Sequence, residues 1–567
     1  MSITPETNEN ILTVTALYSN APGDFPDERT VAGSEKNDNS LTLTALLSKA
    51  AEDFPDQRAV VVSGKYELLH SELRTIVDAC AAQLRKAGIG HGDVVALSFP
   101  NSIEFVILFM AVIRARGVAA PLNAAYTADE FEFYLQDSES KLLLVSSEGN
   151  AAAESAAVNL KIPTAGARFG MSSNSGKIVE FLPKSAGLAL RSSAEAEADA
   201  CSDVLNGADD VALFLHTSGT TSRPKGVPLT QLNLAASTQH IKDTYELSSL
   251  DTTVIILPLF HVHGLMAALL SSLVAGATVV LPAAGRFSAS AFWSDMRSHG
   301  ATWYTAVPTI HQILLDRHTA KPEVSYPKLR FVRSCSASLA PVILERLETI
   351  FGAPVLEAYA MTEASHQMTS NPLPHRGPRK AGSVGKPTGL ELAILDQTGV
   401  PQPPNQSGEV CIRGPNVTGG YRNNPEANKT AFQFGWFHTG DLGYVDEEGY
   451  LFLIGRIKEL INRGGEKISP MEVDAVLLSH PAVGEAVAFA VPDEKYGEEI
   501  NAAVVPHEGA TVTGDEIISH CKKNLIAFKI PKRVFVTDSL PKTASGKIQR
   551  RVMAEHFGAG ARGKLGA

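Results

Sequence analysis

Cysteine is scarce in this chain. Five residues (Cys80, Cys201, Cys335, Cys411 and Cys521) are scattered over 567, none in a C-x-x-C pair. That spacing gives neither a zinc framework nor a disulfide framework, and it fits a reducing compartment. Positive charge is also in deficit, with 50 Lys and Arg against 61 Asp and Glu and a formal net charge of −11. Such a balance argues against general affinity for nucleic acid. The first residues are polar and lack the basic-then-apolar pattern of a secretory signal. Long hydrophobic runs are missing but for one uncharged stretch near membrane-span length, Gly264 to Pro282 (GLMAALLSSLVAGATVVLP). Ser271, Ser272, Gly276 and the β-branched Thr278-Val279-Val280 make it read as a buried helix, a turn and a strand.

What is present is enough apolar material, 44% of residues, for a large core, and a length worth roughly three to four domain-sized units. Leu12–Lys36 is repeated as Leu41–Lys65 at an offset of 29, with a shared DFPD core. One repeat pair is too short for a solenoid. The second copy runs on into a helical pattern, so residues 1–40 are expected to be a flexible, partly duplicated extension. Apolar runs at Val94–Phe99, Ala119–Leu122, Val211–Leu215, Thr253–Leu257, Thr302–Val307 and Leu329–Ser334 read as strands. Helical patterns, such as that near Phe105–Arg116, alternate with them. This alternation predicts an α/β layered core. From Pro403 the texture changes to short strands between Gly and Asn turns, and beyond Arg456 lies a segment of about 110 residues long enough to be a domain. The expected division is 41–455 and 456–567. Thr513–Ala567 carries eleven Lys and Arg against four Asp and Glu, a basic face of the kind that could cap phosphates.

The chain is organised around His216–Gly226, HTSGTTSRPKG, which follows the strand-like run Val211–Leu215. A strand feeding a turn rich in Gly, Ser and Thr, with a lysine close by, suits a polyphosphate. Backbone N–H and hydroxyl groups donate to its oxygens, and lysine supplies a point charge. The lysine is followed by Gly and Val, so this is not a Walker A loop. Thr217, Ser218, Gly219, Thr220, Thr221 and Lys225 are the candidate phosphate ligands.

This string resembles the phosphate-binding motif of the acyl-adenylate-forming enzymes, which include acyl-CoA synthetases, luciferases and peptide-synthetase adenylation domains. The resemblance extends over nearly the whole chain from about Leu41. Tyr359-Ala360-Met361-Thr362-Glu363 matches the family's Tyr-x-x-Thr-Glu motif. The match implies that Ala358, Tyr359 and Ala360 contact adenine, that Thr362 contacts the α-phosphate, and that Glu363, with Thr217, holds Mg²⁺, a cation that favours hard oxygen ligands. Asp441, in Thr439-Gly440-Asp441, and Arg456 match the family's ribose ligands, and Ser336 lines the nucleotide and acyl sites. Within Gly455–Ile468 (GRIKELINRGGEKI), Lys458 corresponds to a hinge, and Arg463, Gly464, Gly465 and Glu466 to a loop that approaches CoA. Pro541–Lys547 matches the C-terminal PKTxSGK motif, making Lys547 the adenylation lysine, which stabilises charge developing between carboxylate and α-phosphate. The implied architecture is a large N-terminal adenylation domain with a small, mobile α+β lid. The implied reactants are an acid, ATP and CoA, with acyl-AMP as intermediate.

For the acid, the positions lining the family's acyl pocket hold His261, Ser336, His366 and, as a further candidate, Arg286. Cationic and polar donors suit a short acid with a second carboxylate and would leave polar groups unpaired beside a fatty chain. His263 reads equally as a packed core residue. Segments such as PLFHVHGL, RSCSASLAP and EAYAMTEASHQM resemble the plant and fungal oxalyl-CoA synthetases, which implies oxalate. A 4-coumarate-type or other short-acid ligase, or a non-catalytic nucleotide or CoA binder, are the alternatives. Neither a membrane association nor an obligate protein partner is indicated. The ending Lys564-Leu565-Gly566-Ala567 differs from a peroxisomal tripeptide, so cytoplasm is the expected location.

Overall fold

The computed structural model describes residues 41–172, 176–195, 205–217, 224–543 and 546–558. The first copy of the repeat and Ser218, Gly219, Thr220 and Thr221 lie outside the described residues. A nine-stranded sheet runs in the order Lys386–Pro387, His366–Ser370, Val355–Met361, Phe331–Ser334, Trp303–Ala306, Thr252–Val254, Thr278–Leu281, Arg58–Val62 and Tyr66–Leu69. Its central pairs are parallel, and antiparallel strands close both edges. A seven-stranded sheet, in the order Gly176–Pro183, Thr164–Ser172, Leu142–Ser146, Val94–Ser98, Val118–Leu122, Val211–Thr217 and Lys225–Thr230, stands beside it. One apolar cluster contains Val60 and Val279 of the first sheet, Val95 and Leu213 of the second, and Phe105 to Ile113 between them. This is the expected layered α/β arrangement. Glu391–Leu395, Gly408–Arg413, Phe437–Val445 and Leu451–Arg456 form a four-stranded antiparallel sheet, and residues 461–536 supply a five-stranded sheet with its own apolar cluster.

Local chemistry sets the boundaries. The helix expected near Phe105–Arg116 runs Ile103–Arg114, because the Ser102 side chain accepts from the Phe105 N–H at its start and Arg116 turns left-handed (φ 64°) after its end. The strand expected at Thr253–Leu257 is only Thr252–Val254, since the chain turns away before Pro258. The long uncharged stretch is a π-helix, His263–Leu270, an α-helical turn, Ser271–Val274, and the strand Thr278–Leu281, all buried. At the start of the π-helix a Cβ on Gly264 would lie 2.4 Å from the Pro258 carbonyl oxygen, so only glycine permits the approach. Among the described residues no helix is long and apolar enough to cross a membrane.

Glu357 is buried in Val355–Met361, and burial pushes its carboxyl pKa up to about 8 against the pull of the Gly382 N–H. A carboxyl whose folded pKa is raised contributes its full stability below its unfolded value and loses it as pH rises through the folded one. Glu357→Gln is therefore expected to become more stable relative to the wild type between pH 5 and pH 9, by on the order of 4 kcal/mol. Urea unfolding at the two pH values checks this.

Candidate functional site

The site forms beyond the carboxyl ends of the parallel strands, where open α/β sheets bind ligands. Strand Phe331–Ser334 leads into Cys335-Ser336, and Val355–Met361 leads into the 3₁₀ turn Thr362–Ala364. Tyr359 reaches Asp441 with its hydroxyl. Arg456, the cross-strand partner of Asp441, places Nε 2.8 Å from the other carboxylate oxygen. Burial raises the Asp441 pKa, and Arg456, Tyr359 and Lys547 oppose it. Thr439 serves the scaffold, its hydroxyl donating to the Val410 carbonyl at 2.7 Å. Ala358 and Ala360 flank Tyr359 on the same strand.

A second group surrounds Lys225, the cross-strand partner of Thr217. The Lys225 ammonium lies 4.0 Å from the centre of the Tyr421 ring, and the Tyr421 hydroxyl donates to buried Glu363 at 2.8 Å. Burial lowers the Lys225 pKa, which Glu363 counteracts and Lys458 and Arg456 reinforce. Thr217 Oγ1 is buried with no hydrogen-bond partner among the described residues. Spacing in the sequence gave no sign of Tyr421.

The third group is polar, buried and centred on Arg333, whose relative exposure is 0%. Its Nε donates to the Tyr245 hydroxyl (2.8 Å), one terminal nitrogen meets His263 Nε2 (3.1 Å) and Thr305 Oγ1 (3.2 Å), and the other meets His366 Nε2 (3.1 Å) and Gln367 Oε1 (3.1 Å). The His263 and His366 rings stack with centroids 5.0 Å apart. Ser336 Oγ lies 2.9 Å from His263 Nδ1, and His261 Nδ1 accepts from the His263 N–H at 3.2 Å. His261 keeps some exposed surface yet sits deep in the molecule. Burial, then the charge of Lys547, takes its pKa down to about 4. Burial, followed by neighbouring positive charge, also holds His263 and His366 well below the ordinary imidazole value. Three side chains with left-handed backbone border the group: Ser336 (φ 74°), Ser365 (φ 50°) and His366 (φ 101°). Strain of this sort, of order 1–3 kcal/mol each, gathers at functional sites. The sequence reading found His261, Ser336 and His366 and left His263 undecided. It missed Arg333, a strand residue with nothing in its spacing to mark it. Arg286 is exposed, with no hydrogen bond or ion pair to this group among the described residues, because it follows the turn at Gly285. The structure does not bring it into this group.

The C-terminal segment delivers Lys547 to the same region. Thr543 closes a turn, its N–H donating to the Lys547 carbonyl at 2.8 Å and its hydroxyl accepting from the Lys547 N–H at 3.1 Å. Gly546 (φ 85°) approaches so closely that a Cβ there would lie 3.0 Å from Thr309 Oγ1, the hydroxyl that donates to the Gly546 carbonyl. The Lys547 ammonium lies among Arg456, Glu459 and Asp441, and burial, then Arg456, lowers its pKa. Behind it Arg550 pairs with Asp474 at 2.7 Å. The candidate CoA loop stands differently. Arg463 is engaged by both oxygens of Glu499 (2.5 and 3.0 Å), Gly464 donates to the Tyr496 carbonyl, and Glu466 and Lys458 are exposed. Elsewhere Glu409, Cys411 and His438 bring ligand atoms within 4.8 Å of one another, a cluster that cysteine spacing did not reveal. His438 has both ring nitrogens engaged, by Glu409 and by the Gln433 carbonyl.

The pattern of the AMP-binding enzymes matches residues 47–422, and that of the AMP-binding enzyme C-terminal domain matches 472–547. The chain belongs to the AMP-binding enzyme family. Among its relatives in this family, an oxalate–CoA ligase of Arabidopsis thaliana is 67% identical over 88% of this chain and 95% of its own. An oxalate–CoA ligase of Saccharomyces cerevisiae is 46% identical over 83% of this chain and 88% of its own. Of solved structures, ATP-bound MatB from Rhodopseudomonas palustris aligns with a TM-score of 0.80 at 30% identity, covering 91% of this chain and 99% of that one. The o-succinylbenzoate CoA synthetase (MenE) of Bacillus subtilis, in complex with its acyl-adenylate, aligns with a TM-score of 0.76 at 32% identity over 90% and 97%. Both neighbours belong to the adenylate-forming synthetases, which combine a large N-terminal domain with a small C-terminal one.

Proposed function

We propose that this enzyme joins oxalate to CoA through oxalyl-AMP. Ligation of an acid to CoA at the expense of ATP follows from the family; the choice of acid rests on one observation. The acyl side of the site is walled by His261, Ser336, His366 and buried Arg333, with no carboxylate among their hydrogen-bond partners in the described residues. Such a wall suits a second carboxylate on a short acid, and the relatives named as oxalate–CoA ligases agree with it.

In the first step a carboxylate oxygen of oxalate attacks the α-phosphorus of ATP, the bond to the β-phosphate oxygen breaks, and pyrophosphate leaves. Thr217, Ser218, Gly219, Thr220, Thr221 and Lys225 hold the phosphates. Tyr359 with Ala358 and Ala360 borders the adenine, and Asp441 with Arg456 holds the ribose. Lys547, already beside Arg456 and Asp441, offsets the charge that builds on the α-phosphate as Thr362 positions it. The buried Glu363 carboxylate and the orphaned Thr217 hydroxyl fit Mg²⁺, which supplies charge neutralisation at the phosphates when bound. In the second step the CoA thiolate attacks the acyl carbon and AMP leaves. For this the segment 456–567 turns about Lys458 relative to 41–455, withdrawing Lys547 and bringing Arg463, Gly464, Gly465 and Glu466 to CoA, with Arg463 leaving Glu499.

Pyrophosphate release with ATP, Mg²⁺ and CoA against oxalate, malonate, acetate, octanoate and 4-coumarate tests this. The expected result is turnover of oxalate at least about tenfold above every other acid in kcat/KM. A larger value for 4-coumarate would replace the acid and keep the chemistry.

A further inference from the structure

Arg333 sits in the third position of a buried central strand, and its N–H groups meet a phenol, a threonine hydroxyl, an amide oxygen and two imidazoles, with the Cys335 sulfur also beside it and no carboxylate among its partners in the described residues. A guanidinium has five N–H donors and no acceptor, so every atom facing it must accept. His263 Nε2 and His366 Nε2 therefore carry no hydrogen, and a neutral ring then carries its hydrogen on Nδ1. Thr305 Oγ1 strengthens the assignment at His263, lying 2.6 Å from the same nitrogen and placed to donate to it. The Nδ1–H of His263 then donates to Ser336 Oγ, leaving the Ser336 hydroxyl hydrogen free to point elsewhere. His261 has the opposite form, because its Nδ1 accepts from the His263 N–H and its hydrogen lies on Nε2.

We propose that Arg333 is a positioning residue that fixes His263 and His366 as Nδ1–H tautomers. The acyl site thereby presents only donors, and a buried positive charge awaits the second carboxylate of a short diacid. This rests on the reading of the enzyme as an oxalate ligase. The charge itself is central, since a buried guanidinium with no carboxylate among its described partners is costly until an anion lies near it. An acid with one carboxylate leaves the wall unsatisfied: its single carboxylate is consumed at phosphorus, and its other end offers the donors no anion.

The tautomers can be read directly from ¹⁵N-histidine two-bond spectra of the full-length wild-type protein without nucleotide, with signals assigned by their loss in His263→Asn and His366→Asn. The expected pattern is Nδ1–H for both rings; an Nε2–H signal from either one overturns the proposal. In a folded Arg333→Met variant, KM for oxalate is expected to rise about 100-fold. KM for glyoxylate, which keeps one carboxylate and replaces the other with an aldehyde, is expected to move less than about threefold. Both rings should then show mixed tautomers. Unchanged KM for oxalate, or an equal loss for both acids, overturns the proposal. Should Arg333→Met fail to fold, the wild-type spectra alone decide. Nδ1–H signals in a protein that does not turn over oxalate would refute the oxalate reading and leave the positioning role of Arg333 standing.

Discussion

Lys547→Ala is expected to lower oxalate-dependent pyrophosphate release by about 1,000-fold, the scale of losing a group aimed at developing charge in an enclosed site. Reaction of preformed oxalyl-AMP with CoA is expected to stay within about threefold of the wild type. The difference is expected because, in the proposed mechanism, Lys547 stands beside Asp441 and Arg456 for the first step and withdraws for the second. Once the adenylate exists, the crowded, charge-accumulating transition state at phosphorus is past, and the second step proceeds at the acyl carbon instead. A second consequence concerns His261, whose pKa is lowered first by burial and then by Lys547. Removing the ammonium should raise that pKa and shift the acid limb of the residual activity to higher pH. Equal losses in both half-reactions would refute the assignment.

The next largest effect is expected at Asp441, where one carboxylate meets both the Tyr359 hydroxyl and the Arg456 guanidinium. Asp441→Ala leaves a buried phenol and a cation without their common partner. Unfolding free energy should fall by about 3 kcal/mol, as for breaking a buried pair from one side. KM for ATP should rise about 100-fold, because the ribose loses its acceptor while Arg456 and Tyr359 lose their positions. Asp441→Asn keeps the shape without the charge and should recover much of the stability but little of the ATP affinity. Urea unfolding and initial rates at varied ATP check both statements. Recovery of KM in the asparagine variant would show that shape, not charge, serves the ribose.

Much of this site could be read from the sequence because its parts fall in short motifs that are local in the chain and convergent in space. Tyr359, Asp441, Arg456, Glu363, Lys225 and Lys547 come from five separate stretches, and the structure brings them together. The layered fold was legible for a similar reason: alternating apolar strands and amphipathic helices encode it locally. Side chains whose role depends on a distant partner were not legible. Arg333 sits in a run that reads only as a strand, and Tyr245, Gln367 and Tyr421 gain meaning from neighbours distant in the chain. Arg286 stands apart from the group around Arg333, and nothing in its sequence neighbours revealed that it is exposed after the turn at Gly285. Proximity in sequence cannot report which way a loop side chain faces.

Among the described residues, the helix Pro308–Ala320 touches the segment 456–567 through slight contacts. They are one hydroxyl-to-carbonyl bond, Thr309 to Gly546, and one partly exposed pair, His507 to Asp316 at 3.1 Å, with Leu478 packing on the apolar cluster nearby. A hydrogen bond and a surface ion pair of this kind together amount to about 1–2 kcal/mol. A catch that light shifts a two-state balance by roughly one decade, well within the differential affinity of a single ligand. The departure of pyrophosphate and the arrival of a thiol can thus tip the enzyme from one half-cycle to the next without a large barrier of its own making.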